Sequence, residues 1–248
     1  MSWDLTRPVE QVAPELLGGL LRHGEVAVRL TEVEAYDGAG DPASHAFRGP
    51  TPRNAIMFGP PGHLYVYFSY GMHWAANIIC GPDGVASGVL LRAGEVVEGV
   101  DVARSRRGRA TDRDLARGPG RLTQALGIGV QHRGACLLDG GPLRLEPGVA
   151  PEQVGHGPRV GVSAEADRPW RFWVADSRFV SDYKRSPRAP LPPGPIGYTE
   201  VADIEQEVAR LLAAGATSRD APHDVGGGML IATVTDPDGN VIGLHQLP

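Results

Sequence analysis

Side chains that could act together in catalysis occur between positions 34 and 92 of this chain. They include a carboxylate, a guanidinium, an imidazole and phenols: Glu34, Tyr36, His45, Tyr67 and Arg92. A carboxylate can act as a general base, and electron-rich rings attract cations. Such a set could form a pocket for a flat, cationic ring. The same residues also fit tyrosines that pack half-buried strands and a purely structural Glu34–Arg92 ion pair, so residue types leave both interpretations open.

These side chains need strands to position them. Residues 31–36 alternate in a way that predicts a strand with Glu32, Glu34 and Tyr36 on one face. Asn77 and Arg92 lie in apolar segments, where polar groups without partners would be costly. We therefore expect Asn77 and Arg92 to face partners or a pocket.

Hydrophobic periodicity extends this pattern along the chain. It predicts a helix at residues 9–21 and strands at 26–35, 64–68, 77–79, 89–92, 135–138, 159–162 and 170–174. Strands mixed with few helices indicate an α+β fold class. The sequence has no Gly-x-Gly-x-x-Gly after a strand and no P-loop, which disfavours a nucleotide-cofactor fold. We expect neither a cofactor nor a metal ion.

The charge of the 248-residue chain is unevenly distributed. The net charge of −5 argues against nucleic-acid binding, but residues 191–248 alone contain two arginines against eight acidic residues, a balance of −6. Residues 104–121, in contrast, hold seven arginines against two aspartates. Such a block can follow phosphates, although a solvated loop has the same composition.

A proline-rich segment at residues 186–195 divides the chain, because it can neither continue a helix nor fill a central strand. We predict a domain at residues 1–185, a semi-rigid linker at 186–195 and a second unit at 196–248. The second unit should contain strands at 196–201, 226–234 and 241–245 and a helix at 203–214. Of the fifteen aromatic residues only Tyr198 follows the linker, so the aromatic pocket belongs to the first domain.

Several motifs of the first domain keep a distinctive order and spacing. They are Glu34-Ala35-Tyr36, 41–45, Thr51-Pro52-Arg53-Asn54, 64–72, Asn77, 90–93, 118–122, 124–128 and 159–162. In these motifs the chain resembles the alkyladenine (3-methyladenine) DNA glycosylases over about residues 17–184. The resemblance implies a single mixed α/β domain with a curved antiparallel sheet and a DNA-probing hairpin. Its partner would be double-stranded DNA with a damaged purine: 3-methyladenine, 7-methylguanine, and hypoxanthine as a further candidate.

The resemblance also implies a catalytic pair. Glu34 matches the carboxylate that activates water for attack on the anomeric carbon. Arg92 matches the arginine that helps to hold this water, together with a backbone carbonyl from segment 159–162. The only lysine, Lys184, lies beyond the predicted pocket strands. Because a glycosylase–lyase needs an amine that arginine cannot supply, we expect a monofunctional enzyme.

The remaining matches concern the damaged base. Tyr36, His45 and Tyr67 match the walls that stack on a flipped base, and Asn77 matches an amide at the pocket floor. Tyr70 matches the wedge that intercalates where the base has left. Flipping costs least at weakly paired lesions, which contributes to selectivity. A competing hypothesis is a damage-binding or small-molecule-binding module without catalysis, in which Glu34 is structural.

Residues 196–248 resemble one βαβββ half-module of the glyoxalase/bleomycin-resistance superfamily, above all at positions 235–240. Complete domains of that superfamily pair two modules, which makes a homodimer through this segment a candidate assembly. Gly243 stands where the superfamily has a carboxylate ligand, so we expect a structural or oligomerising unit without a metal.

The sequence also bears on location. No apolar run reaches the roughly 18 to 20 residues of a membrane span. The first residues lack the basic and apolar regions of a signal peptide. We therefore expect no membrane association and a cytoplasmic, nucleoid-associated protein.

Overall fold

The structure, a computed structural model, describes residues 3–69, 71–190, 197–238 and 240–248. The chain forms two compact units, Met1–Ala189 and Pro190–Pro248. Tyr70 and residues 191–195 of the predicted linker lie outside the described residues. In the part of the chain that is described, no helix has the length and apolar character that crossing a membrane would require.

The first unit is built on one curved antiparallel sheet. Its elements are α1 (Val9–Glu15), β1 (Leu20–His23), β2 (Val26–Asp37), β3 (Leu64–Ser69), β4 (His73–Ile79), β5 (Ser87–Glu98), α2 (Val100–Arg107), α3 (Pro119–Leu126), β6 (Leu143–Glu146), β7 (Val154–Gly157) and β8 (Arg171–Val174). Short 3-10 helices occur at Ala55–Phe58, Asp112–Asp114 and Val130–His132. The strand order is β3-β4-β5-β2-β1-β6, and β8 pairs with both β2 and β7.

Strand β2 lies at the centre of this sheet. It pairs with β5 along one edge, and along the other edge with β1 and then, from Glu32 to Glu34, with β8. Every residue from Leu30 to Ala35 is buried. Because this part of β2 has no solvent face, the carboxylates of Glu32 and Glu34 require polar partners inside the protein.

Helix α3 lies close to the hairpin of β3 and β4. The helix begins at Pro119 and ends at Leu126, and it is followed by Gly127, whose left-handed backbone is easiest for glycine. A Cβ atom at Gly120 would lie 2.7 Å from Cγ of His73, which is too close. Glycine at position 120 therefore allows the start of α3 to approach the hairpin.

The second unit is a four-stranded sheet with one helix. Its elements are β9 (Tyr198–Glu200), α4 (Ile204–Ala213), β10 (Thr217–Asp224), β11 (Leu230–Thr235) and β12 (Val241–Gln246). The strand order is β10-β11-β12-β9, with β9 parallel to β12. Buried residues of α4 and of the sheet form a small core: Ile204, Val208, Ala232, Val234 and Leu244. This βαβββ order and the α+β class of the first unit confirm the predicted fold class.

Several predicted elements of the first unit are wrong. The helix predicted at 9–21 ends at Glu15, just after Pro14, and β1 begins at Leu20 after Gly18 has turned the chain with a φ of +80°. Residues 135–138 and 159–162 are irregular rather than strands. Part of the arginine block forms helix α2 instead of a loop. In the second unit, strand β10 occupies a stretch for which no strand was predicted.

Candidate active site

The carboxylate of Glu34 is fully buried and surrounded by hydrogen-bond donors. Its Oε1 accepts a hydrogen bond from the backbone N–H of Val160 at 2.7 Å, and its Oε2 accepts one from the Tyr36 hydroxyl at 2.8 Å. Nη1 of Arg92 lies 3.4 Å from Oε2. Strand alternation puts Tyr36 on the same face as Glu34, and the loop at 159–162 supplies the backbone donor. These three neighbours fix both carboxylate oxygens.

Arg92 also contacts a second buried carboxylate, Glu32. Its Nε donates to Oε1 of Glu32 at 3.2 Å. The same oxygen accepts from Nε of Arg171 at 2.6 Å, and Oε2 accepts from the backbone N–H of Ser181 at 2.7 Å. Burial opposes the charge on Arg92, but the carboxylates of Glu34 and Glu32 outweigh it and raise the pKa of Arg92. Arg92 is therefore a fixed cation between two carboxylates.

A cavity of about 1160 Å³ lies beside this network. Its walls include Tyr36 of β2, Tyr65 and Tyr67 of β3, Asn77 of β4 and Arg92 of β5, together with His45 from the loop between β2 and β3. Val160 also lines the cavity. Glu34 is completely buried, while its three neighbours Tyr36, Arg92 and Val160 form the adjacent wall. The carboxylate is thus one side chain away from the cavity.

Three rings form a continuous aromatic wall. The rings of His45 and Tyr67 meet edge to face with centroids 4.5 Å apart, and Tyr65 stacks on Tyr67 at 5.4 Å. Nδ1 of His45 lies 3.2 Å from the Tyr65 hydroxyl. Desolvation, together with nearby Arg53, lowers the pKa of His45 below its ordinary 6.5, and burial raises the pKa of Tyr65. At neutral pH the wall is therefore aromatic and uncharged.

Behind the ring of Tyr36 lies a buried ion pair that was not predicted. Arg159 and Asp41 both have fully buried side chains. Arg159 donates to both oxygens of Asp41, one bond being 2.9 Å long, and also to the carbonyl of Ala35 at 3.0 Å. Its guanidinium carbon lies 4.6 Å from the centre of the Tyr36 ring. Burial and then the charge of Glu34 raise the pKa of Tyr36 well above 10, which keeps its hydroxyl protonated.

The structure brings six of the seven predicted site residues together. Glu34, Arg92, Tyr36, His45, Tyr67 and Asn77 all lie in or directly behind the cavity wall. Asn77 is buried and its amide donates a long bond, 3.5 Å, to the carbonyl of Tyr65. The seventh, Tyr70, is not among the described residues. Glu32, Asp41 and Arg159 lie in or beside predicted motifs, but their partners are distant in sequence.

The arginine block contributes only some of its members to the cavity. Arg106, Arg107 and Arg121 line it, whereas Arg104 forms ion pairs with two aspartates elsewhere. Arg107 donates to the carbonyl of Leu115 and the amide oxygen of Gln124. Burial and the charge of Arg121 lower the pKa of Arg107. The rim of the cavity is therefore positive.

Within the residues described, no group of three His, Cys, Asp or Glu side chains could hold a metal ion. Lys184 is exposed, and its side chain is not part of the cavity wall. Its backbone carbonyl nevertheless accepts a 2.9 Å bond from Gly161, which does line the cavity. Lys184 is thus nearer the cavity than its sequence position indicates.

Comparison with known families identifies the first unit. Residues 4–178 match the family model described as methylpurine-DNA glycosylase (MPG). The chain belongs to this family. Residues 198–245 match a glyoxalase-like domain, which agrees with the βαβββ unit. The resemblances recognised in the sequence are both confirmed.

Relatives of this methylpurine-DNA glycosylase family member carry the name "Putative 3-methyladenine DNA glycosylase". The protein of Nocardia farcinica is 59% identical over 187 residues, covering 72% of this chain and 88% of the relative. Those of Frankia casuarinae and Streptomyces avermitilis are 52% and 53% identical and cover 74% and 72% of this chain, and 92% and 88% of their own lengths. Family and relatives together support a DNA glycosylase that acts in DNA repair.

Proposed function

We propose that the protein is a monofunctional glycosylase that flips alkylated purines out of double-stranded DNA and hydrolyses their N-glycosidic bond. The proposed bases are 3-methyladenine and 7-methylguanine, with hypoxanthine as a further candidate. The observation that carries the proposal is the buried carboxylate of Glu34, held by Tyr36, Val160 and Arg92 directly behind the wall of a cavity. Structural ion pairs need no such cavity beside them.

In the proposed reaction Glu34 accepts a proton from water. The water oxygen bonds to the anomeric carbon, and the electron pair of the N-glycosidic bond leaves with the purine. Alkylation has already made the purine cationic, so it departs as a neutral base without needing a proton. The negative charge of Glu34 also stabilises the oxocarbenium-like transition state. Arg92, which lines the cavity and lies 3.4 Å from the carboxylate, would help to hold the water.

The proposed base pocket is the part of the cavity between Tyr36 and the aromatic wall. Tyr36, His45 and Tyr67 would stack on the flipped purine, and electron-rich rings favour a cationic base over its neutral parent. With the Tyr65 hydroxyl donating to Nδ1, neutral His45 keeps an Nε2–H to donate to the base. The amide of Asn77, at the floor of the pocket, would act as a gatekeeper that disfavours bases whose edge does not fit against it. Tyr70 remains the proposed wedge that replaces the flipped base in the duplex.

The positive rim supports DNA as the partner, because phosphates are the expected counter-charge of arginines. In the described contacts Arg106 and Arg107 donate hydrogen bonds to neutral carbonyl and amide oxygens rather than to carboxylates, so their positive charges are not neutralised by an ion pair in these contacts. The side chain of Lys184 is not among the residues that line the cavity, which supports hydrolysis without a Schiff base.

Release of free base from lesion-bearing duplexes tests this proposal. Duplexes with single 3-methyladenine, 7-methylguanine or hypoxanthine sites are incubated with the protein, and the released base is measured by chromatography. We expect release of the alkylated purines and none from the matched undamaged duplex. Tight binding to lesion DNA with no release from any duplex would refute the enzyme and support the binding-module hypothesis.

For the second unit we propose a homodimer formed through the half-module. Its sheet has two edge strands, β9 and β10, and β10 is almost wholly exposed. An open edge favours pairing with another strand. Sedimentation of the full chain and of residues 1–190 tests this, since only the full chain should dimerise. We further propose that the protein acts in the cytoplasm, at the nucleoid, where its DNA substrate lies.

A further inference from the structure

Glu32 is the buried charged group closest to the proposed catalytic pair that the mechanism leaves unused. It lies two residues before Glu34 on β2, is fully buried and does not line the cavity. Of its described partners only Arg92 lines the cavity, whereas all three neighbours of Glu34 do, so Glu32 reaches the cavity only through Arg92. Its contact with Arg92 is the route by which it could act on the reaction.

The contacts of Arg92 divide its guanidinium between two carboxylates. The Nε side meets Glu32 at 3.2 Å, whereas Nη1 remains 3.4 Å from Glu34, beyond good hydrogen-bond geometry. A guanidinium that has no other partner frequently forms a bidentate pair with a carboxylate, through two parallel hydrogen bonds. Here Nε faces Glu32 at 3.2 Å and Nη2 faces the Ser181 hydroxyl at 3.4 Å, so a bidentate pair with Glu34 would require Arg92 to turn and give up these contacts.

Glu32 is itself held in place by contacts that do not involve the site. Nε of Arg171 donates to it at 2.6 Å and the backbone N–H of Ser181 at 2.7 Å. Arg171 also donates to the carbonyl of Ser181 at 3.1 Å and stacks 4.7 Å from the Trp173 ring. Glu32 is thus anchored on one side by β8 and the segment after it, and positions Arg92 on the other.

The balance of buried charges also indicates that Glu32 keeps Arg92 away from a bidentate pair with Glu34. Glu32 and Glu34 face Arg92 and Arg171, and all four side chains are almost fully buried. The four charges sum to zero. Without Glu32 the two arginines would have Glu34 as the remaining carboxylate of this group, and Arg92 would be drawn onto it. A carboxylate closed by a bidentate arginine is a poorer proton acceptor.

We propose that Glu32 is a positioning residue that keeps Arg92 from closing onto Glu34, so that the carboxylate stays able to activate water. This inference rests on the proposed glycosylase function. It assigns Glu32 an effect on the rate of excision and none on the binding of the damaged base, because Glu32 does not reach the cavity.

The test compares Glu32→Gln with Glu95→Gln by single-turnover excision, well below the lowest melting temperature of the set. Glu95→Gln is the matched control, since it makes the same change at a carboxylate of the same sheet whose partner, Arg29, does not line the cavity. We expect Glu32→Gln to excise about 10- to 100-fold more slowly, with lesion-DNA affinity within about twofold of the wild type. Glu95→Gln should excise within about threefold of the wild-type rate. Folded Glu32→Gln with the wild-type rate would overturn the proposal.

A double-mutant cycle with Arg92→Lys separates positioning from general destabilisation. If Glu32 acts through Arg92, Glu32→Gln should cost little additional rate in the Arg92→Lys background. Equal losses in both backgrounds would overturn the proposal. Should Glu32→Gln fail to fold, Glu32→Asp serves, because it keeps the charge but is too short to reach both arginines; an unchanged rate in that variant would equally refute the idea. A wild-type protein that releases no base refutes the glycosylase function itself.

Discussion

Replacing Glu34 by glutamine preserves the shape of the side chain and removes its basicity. The backbone N–H of Val160 requires an acceptor at 2.7 Å, so the amide oxygen of the new residue must face it. The amide NH₂ then faces Tyr36 and Arg92. The Tyr36 hydroxyl can rotate and accept from it, whereas Arg92 loses one of two carboxylates and keeps Glu32. We therefore expect the variant to fold.

The same geometry sets the size of the effect on catalysis. Loss of a positioned general base costs about 10² to 10⁴ in rate, equivalent to about 2.7 to 5.4 kcal/mol of activation free energy. Lesion-DNA affinity should change little, because Glu34 is buried behind the cavity wall rather than exposed in it.

Single-turnover excision and gel-shift affinity on one alkylated duplex measure the two quantities. Glu95→Gln is a suitable control, because Glu95 is a carboxylate of the same sheet whose ion-pair partner, Arg29, lies outside the cavity wall. It should retain both rate and affinity. A wild-type excision rate in Glu34→Gln would refute the assignment of Glu34 as the base, and loss of lesion binding would show that its role is structural.

Four further outcomes are expected. Tyr36→Phe, which keeps the stacking ring but loses the 2.8 Å bond to Glu34, should slow excision about tenfold with little change in lesion affinity; a larger effect on affinity than on rate would contradict this. In the Glu34→Gln background, the affinity for DNA with 7-methylguanine should fall roughly tenfold, relative to DNA with hypoxanthine, as the pH drops through the lowered pKa of His45. The reason is that the imidazolium of His45 repels a cationic base. The further substitution His45→Gln should abolish this pH dependence. Borohydride should trap no covalent adduct with DNA, and an adduct lost in Lys184→Ala would overturn the monofunctional proposal. Truncation after Pro190 should preserve excision and strengthen DNA affinity modestly at low salt, because the removed residues carry a balance of −6; loss of excision by a protein still folded by circular dichroism would show that the second unit takes part in catalysis.

The parts of the site that could be predicted are those with local signals. Alternation along β2 put Glu34 and Tyr36 on one face, and the structure joins them by a hydrogen bond. Motif spacing brought His45, Tyr67 and Arg92 to the same cavity. These relationships depend on strand geometry over a few residues, or on motifs long enough to be specific.

The parts that could not be predicted depend on partners that are distant in sequence. Segment 159–162 has the composition of a strand, but the chain there is irregular, with Val160 donating to Glu34 and Arg159 binding Asp41. Glu32 differs from Glu34 in no local property, and its role follows from residues at positions 92, 171 and 181. The end of α1 was missed because apolar residues continue past Pro14 into β1 with a spacing that also fits a helix.

The ion pair behind Tyr36 also constrains how this protein can evolve. Loss of Asp41 alone would leave the guanidinium of Arg159 buried without a counter-charge, and loss of Arg159 alone would leave a buried carboxylate in the same state. Either single substitution is therefore a costly intermediate on the way to an apolar pair, by about 3 to 5 kcal/mol of folding free energy. We expect the two positions to vary together among natural relatives, and a library randomised at both should return either the intact pair or joint replacements.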